Sequence, residues 1–513
     1  MGVFKKMRNF WLKKLTLSIV LGLVTGQANA CTTILAGQGA TANNSYIVSR
    51  TSDGYINEVK YLAYHPHMEN QTGILKFKGN DFTWKIPKVS LAYSCVPDYG
   101  ADDFGSCGFN ELGVGVTATE TIYPSDKVLA VDPFVVKTGI NEHSLTDVLL
   151  CQSHSAKDGV ALLGKIVETQ GAAEGFGVAF VDKNGIWYFE TASGHHWLAA
   201  KIPQDSCFVT ANQGRFREYD SNDKENYMAS PGLVEFAVQN GFYNPKKGKF
   251  DFHTVFMRNN KTDVVYNHSR VQRLTEIVMG NKPKPIYKDG DRMPVYLQPA
   301  HKLTLDDIKA MHRDQYEGTQ FDPYNRMDPR TPGRPISVFR QEVCHVLEVR
   351  PDLPKEIGMV NYVALGMANL GLYLPLYQGL HEYLPEYGYQ ATDVSNYNSK
   401  VACWRYRQLQ TLVMQDYPRY APMVKKAYGD LEKDFALRQQ KMEAEYLKIY
   451  KDNPSAAANL LKDFEMQVMR DGLDLTDKLT AEIIGAMTRR VDDVYHYSAS
   501  KPNNTAGYVH PDA

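Results

Sequence analysis

The sequence has no CxxC pair and no Cys/His run at zinc-finger spacing, so it carries neither a dithiol redox motif nor a structural zinc motif. It has no surplus of either charge. Lys+Arg number 57 and Asp+Glu 58, for a net charge of −1, and this excludes the electrostatic footprint of a nucleic-acid binder or of a protein held on an acidic membrane surface. Beyond residue 30 no stretch approaches the roughly 18 uninterrupted apolar residues that span a bilayer. There is no internal repeat and no low-complexity segment.

The first thirty residues read as a leader. Lys5, Lys6, Arg8, Lys13 and Lys14 form a basic front. "LTLSIVLGLV" (Leu15–Val24) is an apolar run within the roughly 7–15 residues of a signal-peptide core, and "ANA" supplies the small residues that a signal peptidase reads. An N-terminal membrane anchor is the competing reading. A signal peptide implies an exported protein, periplasmic or secreted, with no stable membrane anchor after cleavage. Removing residues 1–30 leaves 483 residues, room for one large domain with helical additions. The chain has seven cysteines, an odd number. With Cys31 set aside, Cys95 and Cys107 are the nearest candidate pair in an oxidising compartment, against the reading of buried small hydrophobes. Oligomeric state is not encoded in any motif, and a homo-oligomer is compatible with the composition.

From Cys31 to about residue 215, short strands alternate with turns. "TTILAG", "SYIVSRTS", "GVGVTATE" and "GFGVAFVDKNGIWYFETASG" are β-rich, the last with an Asn-Gly turn at 184–185. Residues 144–171 carry helical spacing, with Ser144 as the N-cap candidate. Strands, a helical layer and more strands predict a layered α+β core. Residues 269–280 and 304–318 read as helices, 322–335 as turns, and 338–354 as a strand and a turn. From about residue 399 helix dominates. The organisation expected is a signal peptide at 1–30, a catalytic domain at 31–398, a helical region packed on it at 399–495, and a loose tail at 496–513.

The chemistry concentrates at "QANACTT" (Gln27–Thr33). A cysteine directly after a cleavage site has three readings: a lipoprotein signal, a chance residue, or a new chain terminus that does chemistry. Lipidation needs a large aliphatic residue three places earlier, where Ala28 stands. Cleavage after Ala30 would give Cys31 a thiol and an α-amino group of unperturbed pKa about 7.7–8. That amine accepts the thiol proton, and the thiolate is the nucleophile. If "TTILAG" and "SYIVSRTSD" are adjacent antiparallel strands, Arg50 and Asp53 return beside Cys31. There a cation favours the thiolate and a carboxylate orients the amine. A surface ion pair at a strand end is the plainer alternative. His195 and His196 are adjacent on a strand and point to opposite faces, so they make a poor bidentate metal site. They read as structural or pocket-wall residues, as does "YHPH" at 64–67.

"CTTILAG", "SRTSDG", "GFNELGVGVTATE", "WYFETASGHHWLAAKIP" and "VTANQGRF", in this order, resemble the dipeptidase A-type cysteine peptidases of the N-terminal nucleophile hydrolase superfamily, relatives of the penicillin V acylases and bile salt hydrolases. The likeness extends to "SKVACWRYRQLQTLV" (399–413). It implies an αββα four-layer sandwich with a helical C-terminal extension, and a dipeptidase that works through an acyl-enzyme on Cys31. In this likeness Arg50 and Asp53 support Cys31, and Asn212 supplies an oxyanion donor. Glu120 lies near the position whose backbone N–H is the second donor. "NHSRVQR" (267–273) suggests Arg270 as a further active-site arginine, with Arg273 as its rival. The acylases have asparagine or tyrosine where Glu120 stands, so a more acidic pocket is expected, one suited to a substrate ammonium. No metal or cofactor is needed. The alternatives are an amidase of the acylase type with a more apolar pocket, and a non-enzymatic exported binding protein on the same scaffold.

Overall fold

Period-two alternation builds the centre of the molecule. The computed structural model describes residues 31–54, 58–99, 101–281, 293–319, 321–324, 333–379, 381–389 and 393–495, with side chains left aside at 101–104 and 492–495. The leader expected at 1–30 and the tail expected at 496–513 lie outside the described residues. In chain order the strands begin β1 (Thr32–Ala36), β2 (Tyr46–Asp53), β3 (Ala63–His65), β4 (Ile74–Lys76), β5 (Thr83–Lys85) and β6 (Tyr93–Asp98). They continue β7 (Ala101–Asn110), β8 (Gly115–Thr121), β9 (Phe176–Asp182), β10 (Gly185–Thr191), β11 (Trp197–Lys201) and β12 (Cys207–Thr210). The last are β13 (Tyr227–Ala229), β14 (Tyr296–Leu297), β15 (Gln341–Val349), β16 (Met359–Leu365) and β17 (Leu374–Tyr377). The longer helices are α1 (Glu142–Leu150), α2 (Ala156–Gln170), α3 (Ser269–Val278), α4 (Leu305–Arg313), α5 (Ala402–Gln415), α6 (Tyr417–Ile449) and α7 (Pro454–Tyr495). None of the helices among the described residues is long and apolar enough to cross a membrane.

Two antiparallel sheets result. One has the order β14-β12-β1-β2-β15-β16-β17, the other β13-β11-β10-β9-β8-β7-β6-β3. Strands β9 and β10 show how the layers form. Phe176, Val178 and Phe180, with Trp187 and Phe189, pack under α1 and α2 in one core. Ala179 and Val181, with Ile186 and Tyr188, point the other way, into the core shared with the first sheet. Each large side chain so buried contributes about 1.5–3 kcal/mol. Helix α2 approaches closely because Gly164 faces Trp197, where an added Cβ would stand 2.1 Å from the indole. On the far face of the first sheet lie α3 and α4. Helices α5–α7 join the same core through Leu409, Phe435 and Met469, packed with Tyr362, Leu374 and Leu376. The order helices, sheet, sheet, helices is the αββα sandwich, of the α+β class.

Two local expectations are corrected. Helix in the 144–171 run starts before its N-cap candidate Ser144, and the run holds two helices. Asn141 caps α1, Ser144 is its third residue within a capping box, and Ser155 caps α2 by accepting from the Asp158 N–H. Cys95 and Cys107 are not bonded, and all seven cysteines are buried free thiols. In the β6–β7 ladder Cys95 stands opposite Gly108, one place out of register with Cys107. Cys95 therefore faces α1 and Cys107 faces the other sheet.

Candidate active site

Strands β1 and β2 pair with Thr32 opposite Thr51 and Thr33 opposite Arg50. This register brings Arg50 back to the residue that opens β1. Arg50 Nη1 donates to Cys31 Sγ at 3.0 Å and to the Thr119 carbonyl at 3.0 Å. Its Nε donates to Thr117 Oγ1 at 2.8 Å, and its Nη2 donates to the Ser106 and Ala118 carbonyls. All five N–H groups are committed, four of them to the opposite sheet. The guanidinium is 2% exposed and has no freedom to leave the sulfur. From β15, His345 stands opposite Arg50 and shares Thr117 Oγ1 at 2.8 Å. Burial, with Arg50 beside it, holds His345 neutral, its pKa well below the usual value. The imidazole of this network thus ends on a threonine rather than on the thiol.

Burial pushes the Cys31 thiol up to about 12, against the lowering pull of Arg50; Glu120 and Asp53 add to the rise, and a hydrogen bond from the Asp53 backbone opposes it. Asp53 ends β2. Its Oδ2 accepts from Arg334 Nη2, and its Oδ1 is buried with no hydrogen-bond partner among the described residues.

Strand β12 pairs with β1 on the other side, Thr210 opposite Thr33, so the chain leaving β12 turns beside Cys31 at Asn212. Arg270, from the first turn of α3, fixes that turn. Its Nη2 donates to Asn212 Oδ1 at 2.7 Å and to Asn267 Oδ1 at 3.0 Å. Its Nη1 donates to the Cys31 carbonyl and to Thr32 Oγ1, and its Nε to the Tyr266 carbonyl. Asn267 Nδ2 in turn donates to the Asn212 carbonyl at 2.9 Å. With Oδ1 accepting from a cation, the Asn212 amide is oriented so that its other end is the Nδ2 donor. Burial and the neighbouring Arg334 lower the Arg270 pKa to about 9, which leaves it charged at neutral pH. Arg273 does not join the site: it forms a two-point ion pair with Asp314, at 3.0 and 2.6 Å.

Glu120 reaches the same space because β8 carries a bulge between Ala118 and Glu120. Thr33 Oγ1 donates to Glu120 Oε2 at 2.7 Å, and Oε1 is buried without a partner among the described residues. Burial raises the Glu120 pKa to about 8, despite Arg270, Thr33 and Arg50. The acidic pocket expected from the sequence is therefore mostly protonated at pH 7, because desolvation outweighs two arginines.

The structure thus gathers Cys31, Arg50, Asp53, Asn212, Arg270 and Glu120 into one connected cluster. It adds Arg334, Tyr266, Asn267, Thr117 and His345. The Tyr266 ring lies 5.1 Å from both the Arg270 and Arg334 guanidinium centres. Asn267 sits three residues before Arg270, on the same helical face, and that spacing in "NHSRVQR" was the available signal. Beside the cluster a cavity of about 490 Å³ is lined by Tyr123, Arg258, Asp263, Tyr266, Asn267 and Arg340 among others.

Other chemistry-bearing groups lie elsewhere. His195 Nδ1 bonds Asp132 at 2.7 Å and His196 Nδ1 bonds Ser230 Oγ at 2.9 Å. Among the described residues two clusters have metal-ligand types close together, His65/Cys95/Asp147 and Glu58/Asp98/Glu342. In the second, the Lys60 ammonium stands 3.0 Å from Glu342 and supplies the cation.

The family model described as Peptidase family C69 matches residues 30–429. A probable dipeptidase of Salmonella dublin is 46% identical over 376 residues, 73% of this chain and 87% of its own length. A probable dipeptidase of Latilactobacillus sakei is 31% identical over 69% of this chain and 76% of its own. Dipeptidase A of Lactobacillus helveticus is 29% identical over 91% of this chain and 94% of its own. The solved structure of penicillin V acylase from Agrobacterium tumefaciens aligns at TM-score 0.30 and 13% identity, over 68% of this chain and 86% of its own. On the match across residues 30–429 and the 46% identity, this chain belongs to peptidase family C69.

Proposed function

We propose that this peptide hydrolase is an exported cysteine dipeptidase whose nucleophile is Cys31 at the terminus of the mature chain. The observation that carries the reading is the arrangement around the sulfur. Arg50 donates to Sγ, and the adjacent carboxylate of Asp53 has a buried oxygen with no donor among the described residues. While the Cys31 nitrogen is a peptide amide, the thiol pKa of about 12 keeps it protonated at neutral pH. Cleavage after Ala30 makes that nitrogen an amine, and the amine gives Asp53 Oδ1 its missing donor and the thiol its base.

In this reading the amine takes the thiol proton and the thiolate, held by Arg50, attacks the scissile carbonyl. The tetrahedral oxyanion is met by Asn212 Nδ2 and a backbone N–H near Glu120. The amine passes its proton to the departing nitrogen, the C–N bond breaks and a thioester remains. Water, deprotonated by the same amine, attacks the thioester and returns the thiol. Arg270 is a positioning residue, holding the Cys31 carbonyl and the Asn212 amide in register. Glu120 Oε1, lacking a partner, accepts the substrate ammonium, and that contact draws Glu120 into its ionised form. Export follows from the leader at 1–30.

Hydrolysis of a dipeptide and of its N-acetyl form tests this. The free amine is expected to be strongly preferred, and equal rates would remove Glu120 from the mechanism. Cleavage of penicillin V or a conjugated bile salt in place of dipeptides would make the enzyme an amidase of the acylase type.

A further inference from the structure

The cavity beside the cluster has walls that belong to the site. Asn267 lines it and also holds the Asn212 carbonyl and Arg270. Tyr266 lines it and lies against Arg270 and Arg334, which bind the Cys31 carbonyl and Asp53. A substrate reaching Cys31 therefore has this space next to its reacting bond.

The charges on its walls are unequal. Arg258 is neutralised, since its Nη2 and Nε bind both oxygens of Asp263 at 2.9 and 3.2 Å and its guanidinium stacks 3.9 Å from the Tyr123 ring. Arg340 has no carboxylate partner among the described residues. Among the described residues its one hydrogen bond goes to the Tyr266 hydroxyl oxygen, which fixes its direction. Its backbone is fixed as well, because the carbonyls of Phe339 and Gln341 on either side both accept from the buried Arg407 of α5. A half-buried guanidinium with its chain clamped on both sides and a donor face on the cavity is built to receive an anion.

We infer that Arg340 binds the C-terminal carboxylate of the substrate, so that the cavity is the subsite for the departing residue and Arg340 sets its length at one amino acid. The inference rests on the dipeptidase reading and deepens it. In a dipeptide the carboxylate carbon lies two bonds beyond the scissile nitrogen, so a cation on the wall of the space next to the reacting bond is placed to meet it. A longer peptide presents a neutral amide there and must continue through the wall formed by Tyr123 and the Arg258–Asp263 pair.

The test uses a dipeptide and its C-terminal amide with the mature enzyme. The free acid is expected to be favoured roughly 10–150-fold in kcat/KM, the range of one hydrogen bond to a charged group. In Arg340→Gln that ratio is expected to collapse toward one, and in Arg340→Lys to recover in part. A wild-type ratio near one, or a ratio unchanged in Arg340→Gln, overturns the inference while leaving dipeptide cleavage standing. Failure of the wild type to cleave either compound overturns the dipeptidase reading instead. Calorimetric binding of the same pair to Cys31→Ser and to Cys31→Ser/Arg340→Gln reads the contact without turnover. A preference for the acid that disappears with Arg340 supports the clamp, and a preference that persists refutes it.

Discussion

Replacing Glu120 by glutamine isolates the cost of burying an acid among arginines. In the folded chain the Glu120 pKa is raised from 4.5 to about 8, chiefly by burial. The folded state therefore holds a proton that the unfolded chain releases. The stability this proton contributes is fully present below about pH 4.5 and is lost as pH rises through about 8. Each pH unit in that window is worth about 1.4 kcal/mol, so the full span reaches roughly 5 kcal/mol as an upper bound. Glutamine keeps the shape and the acceptor for Thr33 Oγ1 but has no proton to lose. Denaturant unfolding of the chain beginning at Cys31, from about pH 5 to pH 9, is the assay. The wild type should lose stability with pH relative to Glu120→Gln, and most of the divergence should be in place by pH 8. Parallel curves for the two proteins would refute the burial argument and, with it, the picture of an acid that ionises only when it meets a substrate cation.

Other outcomes follow from the same contacts. Asn212→Ala should lower kcat by about 10²–10³ with little change in KM, the usual cost of one oxyanion donor. Arg270→Lys cannot span Cys31, Thr32, Asn212 and Asn267 at once; it should lower kcat and broaden the pH profile, whereas Arg273→Ala should leave kcat/KM near wild type and cost only stability through Asp314. Gly164→Ala should destabilise by about 1–3 kcal/mol in thermal or denaturant unfolding, because the new methyl meets Trp197. A chain that retains Ala30 should resist iodoacetamide at Cys31 at neutral pH, since a thiol of pKa about 12 offers almost no thiolate, and the chain beginning at Cys31 should react readily.

Where function depended on strand periodicity, the sequence was readable. The apolar alternation of "TTILAG" and "SYIVSRTSD" requires antiparallel neighbours, and that register alone carries Arg50 to the Cys31 sulfur. Arg270 over Arg273 was decided by helix geometry: one points at the sheet, while the next turn's arginine points at Asp314. Arg334 was not readable. It lies 281 positions from Asp53 in a turn-rich segment, and no local pattern announces a partner across that distance. Cys95 and Cys107 misled because nearness in sequence carries no facing information, and a one-residue register offset put them on opposite sides of a sheet. Helical spacing in 144–171 was legible, but it persists across the capped start at Ser155, so it did not show where one helix ends and the next begins. The acidity expected of Glu120 came from residue identity, whereas its ionisation depends on burial, which only the fold reveals.

The central claim is that one cut creates both the chain terminus and the catalytic base. Intact-mass spectrometry of the active enzyme, alone and quenched during turnover of a dipeptide, tests it most directly. The account predicts a chain beginning at Cys31, and during turnover a fraction heavier by one aminoacyl group located on that residue. A fully active chain that still carries Ala30, or an acyl group found elsewhere, would contradict it.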